Sequence, residues 1–95
     1  MIQETPTRTA LICGISGQDG SYLAELLLGK GYRVVGTSRD AQMSSFENLK
    51  RLNIRDQVEV ASMAMNDFRS VLNVLARYQP DEIYNPQKAW DTQKL

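Results

Sequence analysis

Apolar residues along this chain alternate between two periods. Thr9 to Cys13, Arg33 to Thr37, Val58 to Ala61 and Glu82 to Asn85 are short runs that read as strands. The first is apolar almost throughout, as a strand buried on both faces of a parallel sheet must be. Between the runs the spacing becomes helical. Leu23, Leu26 and Leu27 mark a helix from about Asp19 to Lys30, which Gly31 stops in the usual C-terminal glycine position. Ser44-Ser45-Phe46-Glu47 has the form of a capping box and predicts a short helix with Phe46, Leu49 and Leu52 on one side. Asp67 can cap a third helix, in which Phe68, Val71, Leu72 and Leu75 recur until Pro80 ends it. Strands alternating with helices predict an α/β fold, a parallel sheet of about four strands with right-handed crossover helices. The expected strand order is 3-2-1-4, a partial, truncated Rossmann fold: its first half plus one strand.

The junction between the first strand and first helix carries candidate chemistry. Cys13-Gly14-Ile15-Ser16-Gly17-Gln18-Asp19-Gly20 places three glycines three residues apart. Gly14 lets the chain turn sharply, Gly17 lets a pyrophosphate approach the backbone, and Gly20 lets the helix pack close to the strand. The helix start then aims unpaired N–H groups and the positive end of its dipole at the phosphates. A glycine-rich loop alone is more often only a turn. With a strand before it and a helix after it, Gly14, Ile15, Ser16, Gly17, Gln18, Asp19 and Gly20 become the candidate cofactor-binding loop.

Composition narrows the field. Ninety-five residues suffice for one small domain. Net charge is zero and the basic residues are scattered, which argues against a nucleic-acid or membrane-surface partner. The chain has no histidine and one cysteine, so His-based triads, disulfide frameworks, multi-cysteine metal sites and most zinc sites are excluded. Cys13 reads as a small buried hydrophobe. No apolar run reaches signal-peptide or membrane-spanning length, and the expected location is cytoplasmic.

The stretch Gly14 to Leu27 resembles the opening of the GDP-mannose 4,6-dehydratase family, extended short-chain dehydrogenase/reductases that act on nucleotide sugars. Gln18-Asp19-Gly20-Ser21-Tyr22-Leu23 is the specific part, which argues against a related nucleotide-sugar epimerase or reductase. The resemblance continues through Gly31 to Arg39, Asn66 to Leu72 and Gln79 to Asn85, then stops. It divides the chain into a flexible lead-in (1–8), a partial NADP-binding domain (9–85) and a tail foreign to the family (86–95).

The resemblance implies NADP as cofactor. Arg39 lies just beyond the second strand, where an acid would favour NAD through the ribose 2′-hydroxyl and an Arg can pair with a 2′-phosphate. The alternative is an ordinary solvated loop Arg, with Asp40 beside it. Many family members bracket the adenine with an Asp-Leu pair after the third strand. Ala64 and Met65 hold those positions here; Met65 can pack on the base, but Ala64 has no acceptor side chain, leaving a backbone carbonyl to replace it. Met63 and Met65 can equally be plain loop packing.

In the intact family, hydride leaves the sugar C4, water is lost across C5 and C6, and hydride returns to C6, giving GDP-4-keto-6-deoxymannose. The Tyr-x-x-x-Lys helix, the nearby Ser or Thr and the Glu base that this needs lie beyond the resembling segment. Tyr84 and Lys88 have the spacing, but Tyr84 belongs to a strand and Pro86 disfavours a helical Asn85. The expectation is therefore a cofactor-binding segment that is inactive alone, with NADP binding weak or lost and no catalytic residues. The rival reading is a non-catalytic module or degenerate gene product that self-associates through the open edge of its fourth strand.

Overall fold

The computed structural model describes residues 7–41 and 45–86. The elements are β1 (Thr9–Cys13), α1 (Gln18–Gly29), β2 (Arg33–Ser38), α2 (Glu47–Arg51), a 3-10 turn (Arg55–Gln57), β3 (Val58–Ser62), α3 (Phe68–Tyr78) and β4 (Glu82–Tyr84). The four strands form one parallel sheet in the order β3-β2-β1-β4, as the alternation predicts. Leu11 stands opposite Val35 on one side and Ile83 on the other, which fixes the register across the centre. Every residue of β1 is buried, because α1 covers one face of the strand and α3 the other. The foreign tail and the Tyr84–Lys88 spacing involve residues 87–95, outside the described residues, as are Ser44 and most of the lead-in. No described helix is long and apolar enough to cross a membrane.

Three expectations need correction. On α1 the buried stripe is Gly20, Ser21, Ala24 and Leu27, while Leu26 is 55% exposed. Small residues face the sheet, and Leu26, two residues past Ala24, lies roughly 200° around the helix from it. Second, α2 begins later than the expected box: Phe46 stands at its N-cap with φ 54° and makes no side-chain cap hydrogen bond, and Ser44 lies outside the described residues. The Phe46 ring is buried against Leu49 and Ile54, with the Arg55 guanidinium 5.1 Å from the ring centroid. A left-handed conformation costs a non-glycine residue about 1–2 kcal/mol, comparable to or below the roughly 1.5–3 kcal/mol gained by burying an aromatic ring, so core packing sets the helix entry. Third, α3 turns Val74, with Val71, Leu75 and Tyr78, toward the sheet and leaves Phe68 and Leu72 exposed. Its apolar stripe is wider than the surface the sheet offers it. The start of α3 is as expected, with Asp67 Oδ1 accepting from the N–H groups of Arg69 and Ser70.

β4 is clamped to β1 at its amino end. Thr9 N–H donates to Asp81 Oδ2 and Asp81 N–H to the Thr9 carbonyl, each at 2.8 Å. Arg8 and the Tyr32 hydroxyl meet Glu82 Oε2 at 2.9 and 3.0 Å, and the Tyr84 hydroxyl donates to Glu82 Oε1. That last bond pushes the Tyr84 phenol up to about 12. A tyrosine acting as a proton donor or base at neutral pH needs the opposite shift, and Tyr84 lies in a strand, so it is a structural residue.

Candidate dinucleotide site

The glycine loop is held by contacts that are not local in sequence. After Cys13 the chain turns at Gly14, where φ is 72°, a value that favours glycine, and Gly17 N–H closes the turn onto the Gly14 carbonyl at 3.1 Å. Ile15 N–H donates to the Thr37 carbonyl at 2.9 Å, joining the loop to the end of β2. The Ile15 side chain is fully buried on Gly36, where an added Cβ would lie 2.4 Å from Ile15 Cγ1. Asn48 Nδ2 on α2 donates to the Ser16 carbonyl at 3.1 Å and holds the loop from above.

The three glycines differ in what they permit. At Gly20 a Cβ would stand 2.7 Å from the Gly14 carbonyl oxygen, so the glycine lets α1 start against the loop. At Gly17 a Cβ would meet only that same oxygen, at an ordinary 3.5 Å. Gly17 is the N-cap of α1, and the fold leaves the space beside it open on the outer side. Ser21 N–H takes the Gly17 carbonyl, so the N–H groups of residues 18–20 have no carbonyl within the helix to bond. Gln18 and Asp19 are exposed at this end.

Beside the loop, at the carboxyl ends of β1, β2 and β3, lies a cleft of about 360 Å³ lined by Gly14, Ser16, Thr37, Ser38, Arg39, Met63, Met65 and Asn66. That is where doubly wound sheets hold their ligands. A groove of about 400 Å³ between β3 and α3 is slightly larger but includes none of the glycine loop. The smaller cleft is the candidate site, because it joins the glycine turn to the end of β2.

Of the residues expected from sequence, Gly14, Ser16, Arg39 and Met65 come together at the cleft, with Gly17, Gln18 and Asp19 beside it on the loop and first helical turn. Ile15 and Gly20 are positioning residues: their buried contacts shape the loop. Ala64 is not brought to the cleft. Its N–H donates to Ser70 Oγ and its carbonyl accepts from Asp67 N–H, both at 3.0 Å, so its backbone closes the turn before α3. The two methionines separate, Met63 buried in the α3-side core and Met65 56% exposed. Cys13 is buried as expected; burial pushes its thiol up, against a smaller opposing effect of a Thr37 hydrogen bond.

Sequence reasoning missed Asn66 in the cleft wall and Asn48 behind the loop. Asn66 shares a turn with Met65, which was a usable signal; the Asn48 contact spans 32 positions and had none. These residues fit a dinucleotide. The turn at Gly14, the open side at Gly17 and the free N–H groups of α1 suit a pyrophosphate, Arg39 suits a phosphate on the ribose, and Met65 suits the face of a base.

Fold and site together define a Rossmann-type segment of the short-chain dehydrogenase/reductase class. The structure superposes on the Bordetella bronchiseptica enzyme WbmH in complex with NAD+ with a TM-score of 0.65 at 30% identity, over 84% of this chain and 26% of that one. A metagenomic short-chain oxidoreductase in complex with NADP shares the fold, with a TM-score of 0.61 at 23% identity over 80% of this chain and 37% of its own. The family model described as GDP-mannose 4,6 dehydratase matches residues 11–86, and the chain belongs to that family. It is 44% identical over 86 residues to the GDP-mannose 4,6-dehydratase of Yersinia enterocolitica and 40% over 83 residues to that of Vibrio cholerae serotype O1, covering 82% of this chain in each case. The human enzyme is 36% identical over 86 residues, covering 84% of this chain and 23% of its own length. The chain spans about 22% of the length of the two bacterial relatives.

Proposed function

We propose that this segment binds NADP(H) for a cytoplasmic GDP-mannose 4,6-dehydratase-type lyase. The observation that carries the reading is the cleft itself: a glycine turn on one side, Arg39 beyond β2 on another, and no carboxylate among its lining residues. An acid at the end of β2 would hold a ribose 2′-hydroxyl; a guanidinium favours a 2′-phosphate. When bound, the nicotinamide supplies hydride transfer. The residues of this chain hold the pyrophosphate, the ribose phosphate and the base, and none of the described residues is assigned a proton transfer on the sugar. The test is titration with NADPH, followed by fluorescence. Gly17→Val, which fits the fold but fills the phosphate approach, should abolish binding while the far-UV spectrum is kept. Unchanged binding in that variant would reduce the loop to a turn. The 95 residues assayed alone should bind cofactor and produce no 4-keto sugar.

A second reading has its own support. Ile83 is 57% exposed on β4, which pairs only with β1 among the described strands, and Phe68 and Leu72 are exposed on α3. We infer that the 95 residues in isolation associate with a second copy through the β4 edge, where paired backbones and covered isoleucines would satisfy both needs. Sedimentation over a dilution series tests it, and a monomer at high concentration would refute it.

A further inference from the structure

We propose that the outer edge of β3 docks an extended segment of a partner protein, which adds to the sheet as a strand and places an acidic side chain in the groove beside α3. Among the described strands β3 pairs only with β2. In the full doubly wound order 3-2-1-4-5-6 it is the terminal strand, whereas β4 is internal. The register decides which backbone groups face outward. Met63 N–H donates to the Ser38 carbonyl at 2.9 Å, and in a parallel pair alternate residues bond the same neighbour. Ala61 therefore turns its N–H and C=O to β2. Val60 and Ser62 turn theirs outward, where no described residue bonds them. Natural edges are guarded by Lys, Pro or unpaired charge. β3 has neither Lys nor Pro, and its single charged residue, Glu59, is bonded through both oxygens to Arg33 at 2.7 and 3.0 Å.

Beside this edge runs the groove of about 400 Å³ between β3 and α3. A strand added to β3 alternates its side chains between the two faces of the sheet, so every second one enters the groove. Ala61 and Val74 give the groove its apolar wall. Ser62 Oγ and Ser70 Oγ accept from the N–H groups of Ala41 and Ala64 at 2.9 and 3.0 Å, and each hydroxyl hydrogen remains to donate. Asn73 and Arg77 stand exposed on the same flank of α3. The Arg77 guanidinium lies 5.4 Å from the Tyr78 ring centroid and has no ion-pair partner among the described residues. Glu59, committed to Arg33, feels Arg77 only at longer range. None of the lining residues is a carboxylate. Donors and a cation around an apolar wall select an Asp or Glu side chain, with the guanidinium as its partner.

The experiment is an NMR titration of the full chain with the capped pentapeptide Ser-Val-Glu-Val-Ser and with its counterpart carrying Gln at the centre. Saturable shifts are expected at the amides of Val60 and Ser62 and along the Ser70 to Arg77 flank of α3. The Glu peptide should bind about twofold to fivefold more tightly than the Gln peptide, the range of a solvent-exposed ion pair. Arg77→Ala, at an exposed helix position, should bind both peptides equally. Val60→Pro removes an outward N–H and no ladder bond, so it should keep the fold by circular dichroism and bind neither peptide. If that variant does not fold, the Arg77→Ala comparison still decides. The proposal is overturned if no shift appears at β3, if the shifts fall on β4 instead, or if the unmodified chain binds the two peptides equally. Shifts at Val60 and Ser62 that follow protein dilution without peptide would give the edge to a second copy and overturn it as well.

Discussion

The two faces of the sheet are built to different degrees. Against one face, α1 and α2 bury Ala10, Ile12, Ala24, Leu27, Phe46 and Leu49 in a continuous core. Against the other, α3 covers Leu11, Cys13 and Val35 with Val74 and the partly buried Val71, Leu75 and Tyr78, Met63 joins them from the turn before it, and Phe68, Leu72 and Ile83 stay exposed. The second face is also the more polar in sequence: Glu59 stands beside Val35 and Ala61 beside Thr37, where the first face has Val58 and Val60. Among the described residues the first face carries two crossovers, from β1 to β2 and from β2 to β3, and the second face one, from β3 to β4. The glycine loop belongs to the first face through Ile15, Gly36 and Asn48, while the candidate cleft also meets the α3-side core at Met63.

Truncation of leucine on each face should separate them most clearly. Leu49→Ala, at a fully buried position, should cost about 2–5 kcal/mol in urea unfolding, and Leu72→Ala, about half exposed, under about 0.5 kcal/mol at dilutions where the chain is monomeric. Equal losses would mean that the α3 face is covered after all.

A smaller effect is expected at the open edge. Ile83→Lys places a charge on β4 and should weaken self-association by about tenfold to a hundredfold, the equivalent of one buried isoleucine, without lowering the unfolding midpoint of the monomer. Association that persists unchanged would move the contact away from β4.

The smallest effect concerns acid. Glu82 is held below the ordinary carboxylate range by the Tyr84 hydroxyl, then by Tyr32 and Arg8, and Glu59 by its ion pair with Arg33 at 2.7 Å. Depressed carboxylates contribute stability that is present above the unfolded-state value, about 4.3, and lost as pH falls through the folded value. Both groups are solvent-accessible, so the melting temperature should fall only slightly between pH 7 and pH 3 on their account. Glu82→Gln should reduce that fall; a steeper fall in the variant would contradict the assignment.

Sequence periodicity was enough for element order, strand order and the roles of Gly14 and Gly20, because each depends on residues close in the chain or on the handedness of crossovers. It failed where packing chose between neighbours. Leu26 and Leu27 are equally apolar, and only the close approach permitted by Gly20 and Ala24 decides which one meets the sheet. At α2 the buried Phe46 stands at the N-cap, where the sequence suggested a helix entered through Ser44, which lies outside the described residues. At the cleft, Ala64 was expected from its place in the family pattern, but its backbone closes the turn before α3, and Asn66, beside Met65 in the sequence, lines the wall.

The most direct test of the central claim compares NADPH with NADH in the unmodified chain and in Arg39→Ala. Arg39 is exposed at the cleft, so its removal should leave the fold intact. A charge-assisted phosphate contact is worth roughly 1.5–3 kcal/mol, so the unmodified chain should favour NADPH by about tenfold to a hundredfold. In Arg39→Ala the two affinities should become nearly equal. Equal affinities in the unmodified chain, or a preference that survives the loss of Arg39, would contradict the assignment of this cleft to NADP(H).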